Sequence, residues 1–374
     1  MTDREACIVL NMISGVGYVR YRKLCDAFGS PAAALEQPAE ILQQLPGLGA
    51  KLAEKVANWR SEVDLEEELA FAARAGVRIF TLYDEAYPAV LRQLHDPPLV
   101  LYVRGILPEF GKGNALAVVG TRRISRYGKE ITALLTADAV AAGMVIVSGL
   151  ALGVDTVAHW TAVEKGGITV AVLGGGLACL QPQENVPLAR RIIESGGAVI
   201  SEFPMRFPVN RTSFPRRNRI VARLSDGVLV TEAGEGSGAL ITANLAADFV
   251  PVMAVPGLIT NPQSRGCHQL LRNGAALVEN FTDIADALGF GMLPLFGNLR
   301  EPEAQYEPSS AMDLPPDARQ VLQLLMERGE LSYDALAAET ALDSGRLTAA
   351  VMHLELLMLI RRSADQIFSA VCAG

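Results

Sequence analysis

The chain has 374 residues, half of them apolar, and a formal net charge of −8. That length allows a sizeable buried core and more than one domain, while no apolar run approaches the roughly 20 residues that cross a bilayer. The opening residues, Met1-Thr-Asp-Arg-Glu, lack the charged-then-apolar layout of a signal peptide, which predicts a cytoplasmic protein with no membrane contact. The five cysteines (7, 25, 179, 267 and 372) are scattered without a CxxC pair and read as reduced, small hydrophobic residues. Four histidines form no metal-ligand pattern, and Asp155 with His159 at i,i+4 reads as a structural pair, so neither metal nor cofactor is expected.

Residues 1–65 read as a module of short helices. Two glycine turns, Gly15-Val-Gly17 and Pro46-Gly-Leu-Gly49, each separate apolar-periodic stretches, an arrangement that resembles SAM-like and helix-hairpin-helix modules. Backbone N–H groups at such turns can meet a phosphate. Few basic residues surround either turn, and a tight packing module is the plainer reading. Residues 66–113 read as a connecting segment, with a strand over 77–82 and an apolar run over 99–103, leading into the sheet.

Over 114–290 the pattern is regular. Apolar runs recur at 116–119, 145–147, 169–173, 198–201, 228–231, 252–255 and 276–278. Helical stretches separate most of them, at 127–142, 156–165, 186–195, 214–224, 238–249 and 267–273. Continuous apolar strands alternating with amphipathic helices predict an α/β, Rossmann-like domain, a parallel sheet covered on both faces. Residues 291–312, rich in Pro, Gly, Ser and Glu, read as a linker. Residues 313–374 read as three helices and two short strands, a winged-helix layout.

One stretch departs from the acidic character of the chain. Between Pro204 and Arg223 stand six arginines (206, 211, 216, 217, 219 and 223) and no carboxylate. Like charges repel, so a polyanion laid across them is one reason for the cluster, with Phe214 available to stack on a flat group. Ligands of parallel sheets bind beyond the carboxyl ends of the strands. Three strand ends there suit a phosphate: Gly120-Thr-Arg122, Ser148-Gly149 and Ser237-Gly238. Structural readings stand beside these: a capped turn for the strand ends, a core ring for Phe214, and a buried hydrogen-bonding residue for Asn218.

Enzyme classes fit less well. The first strand is followed by one glycine and not by GxGxxG, and Ala254-Val-Pro-Gly257 holds no acid for a ribose. There is no GxSxG elbow followed by Asp and His in a believable order. Phosphoribohydrolases resembling lysine decarboxylases carry a PGGxGTxxE loop. The matching place here, from Gly236 to Thr242, has no carboxylate from Ser237 until Asp248. A nucleotide-phosphate hydrolase of that type and a nucleotide-binding sensor remain the alternatives to a nucleic-acid binder.

Several motifs together carry a resemblance. They are Val118-Val-Gly-Thr-Arg-Arg-Ile-Ser-Arg-Tyr-Gly128, Val147-Ser-Gly-Leu-Ala-Leu-Gly-Val-Asp155, Ala171-Val-Leu-Gly-Gly-Gly-Leu177 and Ser201-Glu-Phe-Pro204. Phe214-Pro-Arg-Arg-Asn-Arg-Ile220, the stretch from Glu232 to Ala243, and Ala254-Val-Pro-Gly257 complete them. In order and spacing over about 116–280, the chain resembles the DNA-processing protein A (DprA/Smf) family. One departure is Ala178-Cys-Leu-Gln-Pro182, where the family often has an Asp and a Tyr-Pro. The resemblance implies an extended Rossmann-like domain flanked by an N-terminal helical module and a C-terminal winged helix. It implies a non-enzymatic protein that binds single-stranded DNA regardless of sequence and loads the RecA recombinase onto it in natural transformation. It also implies a homodimer. The DNA-contacting residues carried over are Gly120, Arg122, Phe214, Arg217, Asn218 and Arg219, with Ser148, Gly149, Ser237 and Gly238 as loop contacts.

Overall fold

The computed structural model describes residues 1–210, 212–290, 314–356, 359–362 and 367–370. The chain divides into two compact units, Met1–Leu295 and Phe296–Gly374. The first is organised on nine strands: β1 (Val77–Thr81), β2 (Val100–Gly105), β3 (Ala115–Val119), β4 (Val145–Ser148), β5 (Thr169–Val172), β6 (Ala198–Ser201), β7 (Gly227–Val230), β8 (Val252–Ala254) and β9 (Ala276–Leu277). They lie in the order β1-β2-β6-β5-β4-β3-β7-β8-β9. From β3 onward all neighbours are parallel. The segment over 66–113 does more than connect. It adds β1 and β2 to the sheet, antiparallel to each other and, through β2, to β6.

Every residue of β3, β4, β5, β6 and β7 is buried. A strand covered on both faces has no polar side to alternate with, which is why these strands read as unbroken apolar runs. The helices that supply the cover are, in the N-terminal module, α1 (Asp3–Met12), α2 (Tyr18–Phe28), α3 (Pro31–Leu35), α4 (Ala39–Leu42), α5 (Ala50–Ala57) and α6 (Trp59–Glu62). There follow α7 (Leu65–Arg74), α8 (Ala89–Arg92), α9 (Arg126–Ala141), α10 (Val154–Glu164), α11 (Val186–Glu194), α12 (Ser213–Arg223), α13 (Gly238–Ala246), α14 (Arg265–Arg272) and α15 (Phe281–Ala287). One face takes α12, α13 and α14 through Ile220, Ala243 and Leu270. The other takes α9, α10 and α15 through Leu135, Ala158 and Ile284, and α11 through Leu188 and Ile192. On that same face the helical module, centred on the buried run Ala6 to Leu10 of α1, packs against Val100 and Tyr102 of β2.

The order of the strands sets the place of a site. From β3 the chain steps outward through β4, β5 and β6, then returns to lay β7 on the other side of β3. Connections leave β3 and β7 in opposite directions, and a crevice opens beyond their carboxyl ends.

The second unit holds α16 (Pro316–Arg328), β10 (Leu331–Ser332), α17 (Tyr333–Thr340), α18 (Ser344–Leu356), β11 (Ile360–Arg362) and β12 (Ile367–Ala370). Its core is Val321, Leu325, Leu336, Leu347, Leu354 and Phe368. The expected two-stranded hairpin gains β10 as a third strand, in the order β10-β12-β11. The linker read over 291–312 and Cys372 lie outside the described residues. Among the described residues no helix is long and apolar enough to cross a membrane, and no group of three or more His, Cys, Asp or Glu is placed to hold a metal.

His159 joins α10 to β5 in the core. Thr169 Oγ1 donates to the Ile146 carbonyl at 2.8 Å, so the His159 Nδ1–H donates to Thr169 Oγ1 at 2.7 Å. Among the described residues its Nε2 is buried without a partner. Burial, with a contribution from the Arg217 charge, pushes the pKa down from 6.5 to about 3. The unfolded chain takes up this proton below pH 6.5 and the folded chain does not. The stability from the neutral ring is therefore full above pH 6.5 and is lost as pH falls toward about 3, by up to about 1.4 kcal/mol per pH unit. Urea midpoints between pH 6.5 and about 5 should fall less steeply for His159→Gln than for the native chain.

Candidate nucleic-acid interface

At the carboxyl ends of β3 and β7 lies a cleft of about 510 Å³. One wall is the Gly120–Arg123 turn after β3, and the facing wall is the Gly234–Gly238 loop after β7. Phe214 and Pro215 at the start of α12 form the third side, and Gly149, Asp155, Arg217, Asn218 and Thr242 also line it. The first turns of α10, α12 and α13 therefore all face the cleft. The helix dipoles, positive at these ends, give it a positive bias.

Two glycines let the parts approach. A Cβ on Gly120 would lie 2.4 Å from Val154 Cγ2 and 2.6 Å from the Glu232 carbonyl oxygen. One on Gly149 would lie 2.1 Å from Nη1 of Arg217. Any side chain at 149 would expel the guanidinium from its seat.

Helical spacing sorts the arginine cluster into two faces. Phe214, Arg217, Asn218 and Val221 follow i, i+3, i+4, i+7 along α12 and turn to the cleft. Phe214 is half-buried at the rim, and the exposed Arg122 guanidinium sits 4.7 Å from its ring centroid, a cation–π contact. Arg217 is buried. Its Nη1 donates to the Val172 carbonyl at 2.6 Å and to the Gly149 carbonyl, and its Nε donates to Asn218 Oδ1 at 3.0 Å. Burial lowers its pKa, which the Asp155 charge opposes. Asp155 is raised by burial against the pull of Arg217, and accepts the N–H groups of Gly149 at 3.1 Å and Ala151 at 3.3 Å.

Arg216, Arg219 and Arg223 follow i, i+3, i+7 on the other face and are used internally. Arg219 is buried. It pairs with the buried Glu202, donates to the Asp96 carbonyl at 2.6 Å and keeps the Asp96 carboxylate 3.4 Å from Nε. Arg216 lies 3.2 Å from the same Glu202 carboxylate oxygen and 4.7 Å from the Phe203 ring centroid. Arg223 bonds Gln93 and lies over Phe249, while Arg206 pairs with Glu67 over Phe71. Arg211 lies outside the described residues. The run of arginines is thus not one basic surface.

Of the ten residues singled out from the sequence, eight line the cleft: Gly120, Arg122, Gly149, Phe214, Arg217, Asn218, Ser237 and Gly238. Ser148 and Arg219 do not. Ser148 is fully buried and donates to the Val118 carbonyl at 2.7 Å, and Arg219 faces Glu202. Both side chains are engaged inside the fold and lie away from the cleft lining. Sequence reasoning missed Thr121, Thr242 and Gln263. Thr121 donates to Gln263 Oε1 at 2.8 Å across the rim. Gln263 belongs to a turn after β8 that carries no local signal of it.

The two faces make opposite demands. Arg219→Ala leaves the buried Glu202 carboxylate with the more exposed Arg216 as its cation and should cost up to about 3–5 kcal/mol of stability, read from the urea midpoint. Arg122→Ala, at an exposed rim, should stay within about 0.5 kcal/mol of the native chain.

Comparison with known proteins bears on this geometry. Residues 78–289 match the family described as DNA recombination-mediator protein A. Residues 8–58 match the SAM-like helix-hairpin-helix tandem, and residues 305–366 match the DprA winged helix domain. Protein Smf of Escherichia coli (strain K12) is 39% identical over 255 residues, covering 68% of this chain and 67% of that one. Protein Smf of a Synechocystis strain is 31% identical over 388 residues, 96% of each chain. The X-ray structure of DNA processing protein A from Streptococcus pneumoniae superimposes with a TM-score of 0.63 at 30% identity, over 76% of this chain and 98% of that one. The DNA processing protein A of Helicobacter pylori, solved for insight into its single-stranded DNA binding mode, gives a TM-score of 0.50 at 31% identity, over 57% and 96%. With its central sheet, its helical module and its winged-helix unit each matched in turn, the chain belongs to the DNA recombination-mediator protein A family.

Proposed function

We propose that this chain is a cytoplasmic, non-enzymatic protein that binds single-stranded DNA in the cleft without reading its sequence, and that it acts as a recombination mediator. The observation that carries this reading is the Phe214 ring at the rim with the Arg122 guanidinium over it, beside converging helix N-termini. An aromatic ring and a guanidinium plane stack on any base. The N–H groups at the start of α13, around Ser237 and Gly238, suit a backbone phosphate. Gly120 and Gly149 let the strand and the guanidinium come close, and Arg217 supplies fixed positive charge from below. The Asn218 side chain is the cleft's best candidate to read a base edge, but its Oδ1 is taken by Arg217 and its Nδ2 points to the Gly238 carbonyl at 3.4 Å. That engagement of Asn218 within the fold is in keeping with binding that does not read a base edge.

The carboxylates favour binding over hydrolysis. Asp155 is buried and accepts two backbone N–H groups, and Glu235 is exposed 3.7 Å from Arg265. Neither is a free general base aimed into the cleft, as a nucleotide-phosphate hydrolase needs. Family membership and the single-stranded DNA binding of the Helicobacter pylori relative support the same reading. Loading of RecA, a role in natural transformation, and pairing with a second copy of the chain enter it from the family resemblance. The winged-helix unit suits packing or partner docking better than groove reading, because Arg346 of α18 is held by Asp317 at 2.6 Å.

Phe214→Ala should weaken binding of a labelled oligothymidylate by about 1–3 kcal/mol in fluorescence anisotropy. Arg122→Ala should also lower the slope of log affinity against log salt by about 1. Native affinity in both variants would remove the DNA from this cleft.

A further inference from the structure

One face of the sheet carries two apolar clusters side by side. The helical module packs on β2 through Val100 and Tyr102. Helix α11 packs over β6 through Leu188, Ile192 and Val199. Between β2, α11 and the segment after β5 runs a groove of about 540 Å³ that shares no lining residue with the cleft. Leu177 flanks it and borders both apolar clusters.

The groove is aliphatic inside and cationic at its edges. Leu180, Val186, Ala189, Ile193 and Val199 line it along with Leu177. Pairing of β2 with β6 sets Arg104 directly opposite Val199, and Arg190 comes from α11. Both arginines are exposed, and among the described residues neither makes a hydrogen bond or an ion pair. Glu194, the carboxylate among the lining residues, is engaged by Arg191 at 3.3 Å. Two unengaged guanidinium groups flanking an apolar floor are out of keeping with a chain of net charge −8 whose other arginines near the sheet are largely paired.

We propose that this groove docks an acidic peptide segment of a partner protein, with a Leu, Ile or Phe side chain on the floor and carboxylates on Arg104 and Arg190. Arg binds carboxylates in a two-pronged fork, and an apolar side chain gains by leaving water for an aliphatic floor. A nucleic-acid strand fits less well. No aromatic ring lines the groove to stack a base, and a phosphate backbone gains nothing from aliphatic side chains. Because groove and cleft are separate, a partner held here leaves the cleft open.

The test is selection of a random-peptide display library on the full chain, followed by comparison with Arg104→Glu/Arg190→Glu. Both positions are exposed, so the reversal spares the core, and Arg104→Gln/Arg190→Gln serves as a milder second variant. The expected winners set Leu, Ile or Phe next to Asp or Glu. A fluorescein-labelled winner should bind the reversed chain at least about tenfold more weakly in anisotropy, and the Gln variant to an intermediate degree. Oligothymidylate affinity should not change. Enrichment of peptides without acidic residues, or equal binding to native and reversed chains, overturns the proposal. Loss of oligothymidylate affinity in the reversed chain overturns it too, by assigning the groove to nucleic acid.

Discussion

The buried guanidinium of Arg217 sets the orientation of everything at the rim. An unpaired buried charge is costly, so it needs acceptors. It finds the carbonyls of Gly149 at the end of β4 and Val172 at the end of β5, with the Asp155 charge nearby. Those partners fix the rotation of α12 about its axis. With the rotation fixed, Phe214 lies one turn earlier on the same face and meets Arg122. Arg216 and Arg219 are turned the other way, to Glu202. The same rotation thus builds the rim and closes the interior.

This division explains why an acidic chain carries so many arginines in one stretch. Most of them anchor the loop and helix to neighbouring segments, through Glu202, Asp96, Gln93 and Glu67. The positive character of the cleft comes instead from few sources: Arg122 and Arg123, the fixed charge of Arg217, and helix N-termini. The helical module shows a similar use of cations. Arg20 donates to the carbonyls of Gly15 at 2.6 Å and Gly47 at 2.9 Å, and Lys23 to that of Pro46 at 2.7 Å. Its two glycine turns are stapled by these side chains, in keeping with a packing role.

Much of the architecture is legible in the sequence because strands buried on both faces leave unbroken apolar runs. The motifs at the ends of β3, β4 and β7 are likewise legible, since sheet topology alone sends strand ends to one rim. The legibility stops where partners come from distant segments. Nothing near Arg219 announces Asp96, and a local charge count cannot tell which of the arginines faces solvent and which faces the buried Glu202 carboxylate. Ser148 looks like a loop residue but ends its strand inward, bonded to Val118. The strand over 77–82 and the apolar run over 99–103 are legible, but their place in the sheet is not, because their antiparallel direction breaks the strand–helix alternation.

The central claim is that single-stranded DNA lies across the rim made by Phe214 and Arg122. Photo-crosslinking of the full chain to an oligonucleotide containing 5-iododeoxyuridine, followed by mass spectrometry of the adducts, tests it most directly. The account expects adducts on Phe214 or its immediate neighbours on the cleft face of α12. Adducts confined to the helical module or the winged-helix unit, with none at the rim, would contradict it.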